Sequence, residues 1–147
     1  MNPTARRFAR QYAVQAIYQW QIAHTLPADI ESQFLTHQQM SKKTDMIYFK
    51  ELVHAIPRLS DELDELIIPF LNRPLDEIDP VELAILRLST FELAKRFDIP
   101  YRVTINEALE LTKKYGSVEG FKFVNGVLDQ VAQKLRSTEI AAQKNKS

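Results

Sequence analysis

Three arginines, Arg6, Arg7 and Arg10, stand among the first eleven residues, a stretch that contains no acidic residue. The whole chain has 19 basic and 19 acidic side chains, so it has no general attraction for polyanions. A guanidinium donates two hydrogen bonds to a phosphate, and its flat face lies well against a base. This concentration of arginine indicates a localised nucleic-acid site, with a solvated polar helix face as the alternative.

The arginines fall in a segment with helical periodicity, in which apolar residues between Phe8 and Ala23 recur at steps of three and four. At about 100° per residue, the opposite arc collects cations, amides and one aromatic. That mixture suits a site that holds a phosphate backbone while it stacks a base, as single-stranded recognition requires. For Tyr18, packing against a neighbouring helix is the alternative to stacking. The residues on this arc are Arg7, Arg10, Gln11, Val14, Gln15 and Tyr18, with Arg6 at its margin.

A second dense signal is the segment 121–129, FKFVNGVLD. Projected on a helix, its valines and leucine form a core stripe, Phe121 and Phe123 lie at the borders, and Lys122 lies outside. Border aromatics usually cover the edge of a core, but beside a lysine they are also platforms for bases. Gly126 in mid-helix costs about 1 kcal/mol relative to alanine, so we expect another helix to approach closely there.

An acidic stretch lies between Arg58 and Glu82, where only two arginines accompany the acids. Opposite charges at separate places on a small protein suit one anionic and one cationic partner, although ordinary surface patterning explains this stretch equally well. The acids are Asp61, Glu62, Asp64, Glu65, Asp76, Glu77, Asp79 and Glu82.

Signals for catalysis are weak. The three histidines, His24, His37 and His54, lack the spacing of metal ligands. The absence of cysteine removes any thiolate nucleophile or thiolate ligand, and three glycines are too few for a glycine-rich phosphate loop. We therefore expect a non-enzymatic protein without metal or cofactor. Neither a secretory signal nor a membrane-spanning segment is visible, which favours a cytoplasmic location.

Nearly every segment has helical periodicity, and no run alternates as a half-buried strand would. The sequence predicts an all-α protein, a single compact domain of about seven helices over residues 1–136. Residues 38–43 are expected to form a loop, and residues 137–147 a polar, disordered tail.

Several residues predict where helices begin and end. The segments Asp79–Glu82 and Thr104–Glu107 have the pattern of helix N-termini, and Thr4 is the expected cap of the first helix. Pro57 predicts a kink or break. Gly116 predicts a left-handed helix end.

Four motifs resemble those of NusB-type transcription antitermination factors. Together they run from about residue 3 to 136 in the family's order. Each is weak alone, but four in register over the length of one domain are specific. They are Ala5–Arg10 with Ala13–Trp20, Ala84–Arg87, Pro100–Ala108 and Phe123–Asp129.

This resemblance implies an all-helical fold of two small helical bundles. It also implies binding to the boxA element of nascent RNA, notably in ribosomal RNA operons, jointly with the small-subunit ribosomal protein S-ten, also called NusE. The partners act with other Nus factors in a transcription elongation complex that keeps polymerase from terminating. By matching position, Arg6, Arg7 and Arg10 belong to the family's RNA-binding start, and Lys122 and Phe123 to its second RNA-facing segment.

The same resemblance implies where the ribosomal protein binds. The sequence also departs from the family's pattern at three positions. Asn2 and Phe8 stand where basic residues are often seen, and Phe121 where relatives have a polar residue, so the basic surface is expected to be thinner. The residues that match the family's protein contact are Asp76, Glu77, Asp79 and Glu82.

Three alternatives stay open. The chain is a helical protein scaffold if the acidic stretch alone carries its function. It is the isolated NusB-like domain of an RNA cytosine methyltransferase if it is a fragment, because it contains no cysteine nucleophile. Apolar residues of the first helix also allow a homodimer that hides the RNA face.

Overall fold

The computed structural model of the protein describes residues 2–37 and 40–146, and this part is helical, with no β-strand. The all-α prediction is confirmed. Residues 1, 38, 39 and 147, which fall in the predicted domain, loop and tail, lie outside the described residues. The helices are α1 (Pro3–Ala23), α2 (Pro27–Thr36), α3 (Met46–Arg58), α4 (Ser60–Ile67), α5 (Pro80–Lys95), α6 (Tyr101–Tyr115), α7 (Val118–Leu135) and α8 (Ser137–Lys146), with 3₁₀ turns at Ile68–Phe70 and Leu75–Glu77.

The chain divides into two compact units, Met1–Asp61 and Glu62–Ser147. This division fits the two helical bundles that the resemblance implies. Among the described residues, none of the helices has the length and apolar character needed to cross a bilayer.

In the first unit, α1 packs on α3, and α2 packs against both. Asn2 caps α1, because its side chain accepts hydrogen bonds from the backbone N–H groups of Thr4 and Ala5 at 2.9 and 3.3 Å. The expectation that Thr4 is the cap is therefore wrong: Pro3 takes the first helical position, and Thr4 lies inside the first turn. The core of this unit contains Ala9, Ala13, Ala16, Ile17, Ile30, Phe34, Phe49, Leu52 and Ile56.

The predicted break at Pro57 is confirmed. Proline has no N–H to donate within a helix, and α3 ends one residue later at Arg58. The N–H of Leu59 closes the helix by donating to the carbonyl of Ala55 at 2.9 Å, and α4 begins at Ser60.

In the second unit, α5 is the central helix and packs against α6 and α7. Every residue from Glu82 to Leu93 is buried. The predicted start of α5 is confirmed: the Asp79 carboxylate accepts from the N–H groups of Val81 and Glu82 at 2.9 and 3.2 Å, and Pro80 takes the first position.

The start of α6 differs from the prediction. The helix begins at Tyr101, three residues before the expected cap. Thr104 is buried inside the helix, and its hydroxyl donates to Oε1 of Glu92 on α5 at 2.8 Å. The Thr104 side chain, which the sequence predicts to be a helix cap, therefore forms a hydrogen bond between α6 and α5.

At two positions, the predicted reason for a glycine differs from what the structure shows. Gly116 does end α6, but its backbone is extended (φ −118°, ψ −164°) and not left-handed. A Cβ at Gly116 would lie 2.9 Å from the carbonyl oxygen of Thr112, which explains the glycine. Gly126 is exposed, and a Cβ there would meet nothing within 4 Å, so the expected close helix approach is wrong.

The expectation of a disordered tail is also wrong, because residues 137–146 form α8. Glu139 on its first turn accepts a 2.6 Å bond from Arg136 Nη1 and a 2.9 Å bond from the N–H of Tyr101. Buried Arg136 also donates to four backbone carbonyls at and beyond the end of α5. These belong to Glu92, Leu93, Arg96 and Ile99, at 2.9–3.1 Å.

Candidate nucleic-acid interface

The three arginines of α1 differ in their surroundings. Arg7 is exposed, Arg6 is half-buried, and Arg10 is only 3% exposed. The guanidinium carbons of Arg6 and Arg10 lie 4.9 and 5.7 Å from the ring centre of Tyr48 on α3, which is itself buried. A guanidinium is attracted to an aromatic face at these distances. Tyr48 thus holds two of the three arginines, and the periodicity of α1 gave no signal for it.

Burial of Arg10 corrects one prediction. The helical projection places Arg10 and Val14 on the solvent side of α1, but both are buried. The cause is that α1 packs against both α2 and α3, so its buried arc is wider than one apolar stripe. A side chain this buried does not contact a phosphate in the present conformation. Arg10 instead supplies positive charge beneath the surface and shares the Tyr48 ring with Arg6.

The remaining predicted residues of α1 are accessible. Gln11 is half-buried, and Tyr18 is 40% exposed. An amide and a partly open aromatic ring thus accompany Arg6 and Arg7 on this helix, as stacking and phosphate contact require.

A loop adds two lysines that the sequence did not single out. The N–H of Ser41 donates to the Tyr12 hydroxyl at 2.9 Å, and the N–H of Asp45 donates to the carbonyl of Ala5 at 3.0 Å. These two bonds tie the loop to the first turns of α1. Lys42 and Lys43 lie between the tied residues and are exposed, so they extend the basic surface at the start of α1.

In the second unit, the structure separates Lys122 from Phe123. Phe123 lines a cleft of about 520 Å³, where the Arg73 guanidinium carbon lies 4.8 Å from its ring centre. We call this the acidic cleft, because four carboxylates also line it. They belong to Glu77, Asp79, Glu82 and Glu119. Lys122 lines a different cleft, so Phe123 groups with the predicted protein-binding acids and not with its neighbouring lysine.

The predicted protein-binding acids differ in solvent exposure. Asp76 and Glu77 belong to a 3₁₀ turn and are exposed, as is Asp79. Glu82 is only 8% exposed. A Cβ at Gly120 would come within 2.5 Å of Glu82 Oε2, so this glycine leaves room for the buried carboxylate.

The environment of Glu82 changes its acidity. Burial raises the pKa of Glu82 above the ordinary value of 4.5, the charge of Asp79 raises it further, and Arg73 lowers it. A buried acid beneath exposed ones, with one arginine beside it, is suited to a cationic partner that completes the neutralisation.

Within residues 2–37 and 40–146, no three histidine, aspartate or glutamate side chains lie together as a metal site would require. The imidazole Nε2 of His54 lies 3.0 Å from Glu31 Oε1, a surface pair.

These features define a small all-α protein built to bind other molecules, with a basic first helix suited to a polyanion and an acidic cleft suited to a cation-rich partner. The chain belongs to the NusB family, whose model matches residues 7–133. The family resemblance read from the motifs is thereby confirmed.

Named relatives are close in sequence. The transcription antitermination protein NusB of Shewanella halifaxensis is 52% identical over 136 residues, which are 92% of this chain and 100% of that protein. The one of Pseudomonas savastanoi pv. phaseolicola is 52% identical over 139 residues, 95% of this chain and 84% of that protein. The match therefore spans the whole length of the Shewanella protein.

Solved structures have the same fold. NusB of T. maritima superposes with a TM-score of 0.74 at 30% identity, covering 87% of this chain and 90% of that one. A crystal structure of antitermination factors NusB and NusE in complex with double-stranded RNA has a TM-score of 0.79 at 27% identity, covering 89% of this chain and 98% of that one.

Proposed function

We propose that this protein is an RNA-binding transcription antitermination factor. It binds the boxA element of nascent transcripts, notably those of ribosomal RNA operons, together with ribosomal protein S-ten (NusE). It acts in the transcription elongation complex with other Nus factors. It performs no catalysis, and its location is the cytoplasm, where nascent transcripts are made.

The observation that carries the proposal is the arrangement of arginines on α1. Arg7 is exposed, and Arg6 is held over the ring of Tyr48 at 4.9 Å. Pre-positioned guanidinium groups lose less side-chain freedom on binding a phosphate than free ones do. The names of the relatives and the presence of RNA and NusE in the complex of a relative support the same proposal.

RNA contact is assigned to the accessible members of the predicted set. These are Arg6, Arg7, Gln11, Tyr18 and Lys122. Arg10 acts indirectly, through the Tyr48 ring that it shares with Arg6. Phe123 is also assigned to RNA contact. It lines the acidic cleft, where the guanidinium of Arg73 beside its ring supplies a cation for a phosphate.

Protein S-ten is assigned to the acidic cleft. Exposed Glu77 and Asp79 of this cleft, with exposed Asp76 next to Glu77 in the chain, meet the cations of S-ten first, and Glu82 is the buried acid of the same cleft. Because these pairs are at a solvated rim, they are expected to govern the association rate and its salt dependence more than the final affinity.

A binding titration tests the function. Fluorescence anisotropy of a labelled boxA RNA and of a scrambled RNA of equal composition is measured across a salt series, with and without S-ten. We expect tighter binding of boxA, a steep loss with salt because phosphate contacts release counterions, and a gain when S-ten is present. Equal affinity for both RNAs in both conditions would contradict sequence recognition.

The acidic cleft also favours a second candidate, a protein scaffold without RNA specificity. The same titration separates the two. A stable complex with S-ten, together with no RNA binding even at low salt, is the result that the scaffold predicts.

A further inference from the structure

A second cleft, of about 360 Å³, lies where α6 is followed by α7. Its volume is at the lower end of the range of small-molecule sites, roughly 300–1,000 Å³. We call it the basic cleft. Its lining residues are Lys113, Gly116, Ser117, Val118, Phe121 and Lys122.

The charge of the basic cleft is positive. Lys113 Nζ lies 5.7 Å from the ring centre of Phe121 and 3.4 Å from Glu110 Oε1. The Lys113–Glu110 pair is solvent-exposed, so it is weak and exchanges readily for a phosphate. Lys122 is exposed and makes no ion pair within residues 2–37 and 40–146. The residues that line the basic cleft include no acid, whereas four acids line the acidic cleft.

The walls of the basic cleft are apolar. Val118 is 71% exposed, and the ring of Phe121 is half-buried. A half-buried aromatic ring that shares a cleft with two lysines provides what an unpaired nucleotide needs: a stacking surface and cations for its phosphate.

We propose that the basic cleft is a subsite for one unpaired nucleotide of the bound RNA. The base stacks on Phe121 and contacts Val118, and Lys113 and Lys122 bind the adjoining phosphate. This inference rests on the proposed function, and it adds a nucleotide position in the second unit to the arginines of α1 in the first.

Abasic scanning tests the subsite. A series of boxA RNAs, each lacking one base, is titrated against the wild-type chain and against Phe121→Ala. One abasic position should weaken wild-type binding by roughly five- to a hundredfold, as the loss of one stacked base does. That same position should have no further effect in Phe121→Ala. If every abasic penalty stays the same in the variant, the subsite is overturned.

Two further variants guard against an effect on folding. Phe121→Leu keeps an apolar side chain but no ring, and it should lose the same abasic penalty. Lys113→Gln should weaken RNA binding about two- to fivefold. Lys114→Gln, its exposed neighbour outside the cleft, serves as the matched control and should have no such effect.

The failure of this inference can be distinguished from the failure of the proposed function. If the wild-type chain binds RNA and Arg7→Glu weakens it, while the Phe121 and Lys113 variants match the wild type, the subsite alone is wrong. If the wild type binds no RNA, both are wrong. Loss of S-ten binding in the Phe121 and Lys113 variants, with RNA binding intact, would assign the cleft to a protein and also overturn the inference.

Discussion

At the scale of single residues, Tyr48 explains why the arginines of α1 are not equivalent. Its buried ring faces the guanidinium groups of Arg6 and Arg10. Arg10 is then a positioning residue that shares this ring, and Arg7 is the exposed one of the three arginines. The sequence pattern identifies the arginines but not the tyrosine, because Tyr48 is about 40 residues away and only the packing of α1 on α3 brings it close.

The role of Tyr48 predicts a difference between two substitutions. Tyr48→Phe keeps the aromatic face and should retain RNA affinity within about twofold. Tyr48→Leu removes the aromatic face. The cation–π interaction that holds a guanidinium in place, about 0.5–1 kcal/mol, is then lost, so RNA affinity should fall about two- to fivefold. RNA titration below the melting temperature of each variant measures this. Equal affinities for the two variants would contradict the role of the ring.

Glu82 predicts a pH dependence of stability. Its pKa is raised above 4.5 in the folded chain, so the folded state binds this proton more tightly than the unfolded state. Ionised Glu82 therefore destabilises the fold at neutral pH, and this effect disappears as the pH falls through the raised pKa towards 4.5.

Glu82→Gln should consequently stabilise the protein at pH 7, because an amide has no charge that burial disfavours, and the lost attraction between Arg73 and the carboxylate limits the gain. The gain should vanish near pH 4. Urea unfolding at the two pH values provides the measurement. A loss of stability at pH 7, or a gain that is equal at both, would show that Glu82 is better ionised than neutral.

At the scale of helices, two local signals predicted boundaries correctly: Asp79 with Pro80 at the start of α5, and the break at Pro57. The local signal at Thr4 was misleading, because Asn2 caps α1. Prediction failed where a side chain serves another element: Thr104 bonds Glu92 on α5, and Arg136 binds carbonyls about 40 residues earlier. In the candidate site, the residue types of α1 were predicted, but burial of Arg10 and the separation of Lys122 from Phe123 depend on tertiary packing.

Arg136 connects the first turn of α8 to the carbonyls at the end of α5. Arg136→Lys keeps the charge but not the planar fork that reaches four carbonyls and Glu139, so buried acceptors lose their donors. We expect a loss of about 2–4 kcal/mol in the free energy of unfolding, together with faster amide exchange in α8. The matched control is Lys134→Gln, an exposed change two residues earlier in the last turn of α7, with an expected effect below about 0.5 kcal/mol. Unchanged stability in Arg136→Lys would contradict this account.

At the scale of the whole molecule, a formal net charge of zero results from surfaces of opposite sign. The first unit has the arginines of α1 with Lys42 and Lys43 on the adjoining loop. The second has the acidic cleft. Two such surfaces let one small chain bind a polyanion and a basic protein without attracting either through its overall charge.

This separation predicts two independent losses. Asp76→Lys together with Glu77→Lys should weaken S-ten binding and reduce its association rate, because exposed charges steer the encounter. RNA binding in the absence of S-ten should be unchanged or slightly stronger. Surface plasmon resonance with each partner separately measures both. Loss of RNA binding and of S-ten binding together would contradict the assignment of these acids to the protein partner.

The most direct test of the central claim, that α1 binds RNA through its arginines, compares two charge reversals of equal size. Affinity of Arg7→Glu and of Lys134→Glu for boxA RNA is measured by anisotropy across a salt series. The account predicts that Arg7→Glu lowers affinity at least tenfold and reduces the slope of log affinity against log salt by about 0.7, the value for one phosphate contact on a single strand. Lys134→Glu should bind nearly as the wild type does. Equal losses in the two variants, or none in Arg7→Glu, would show that RNA is bound elsewhere.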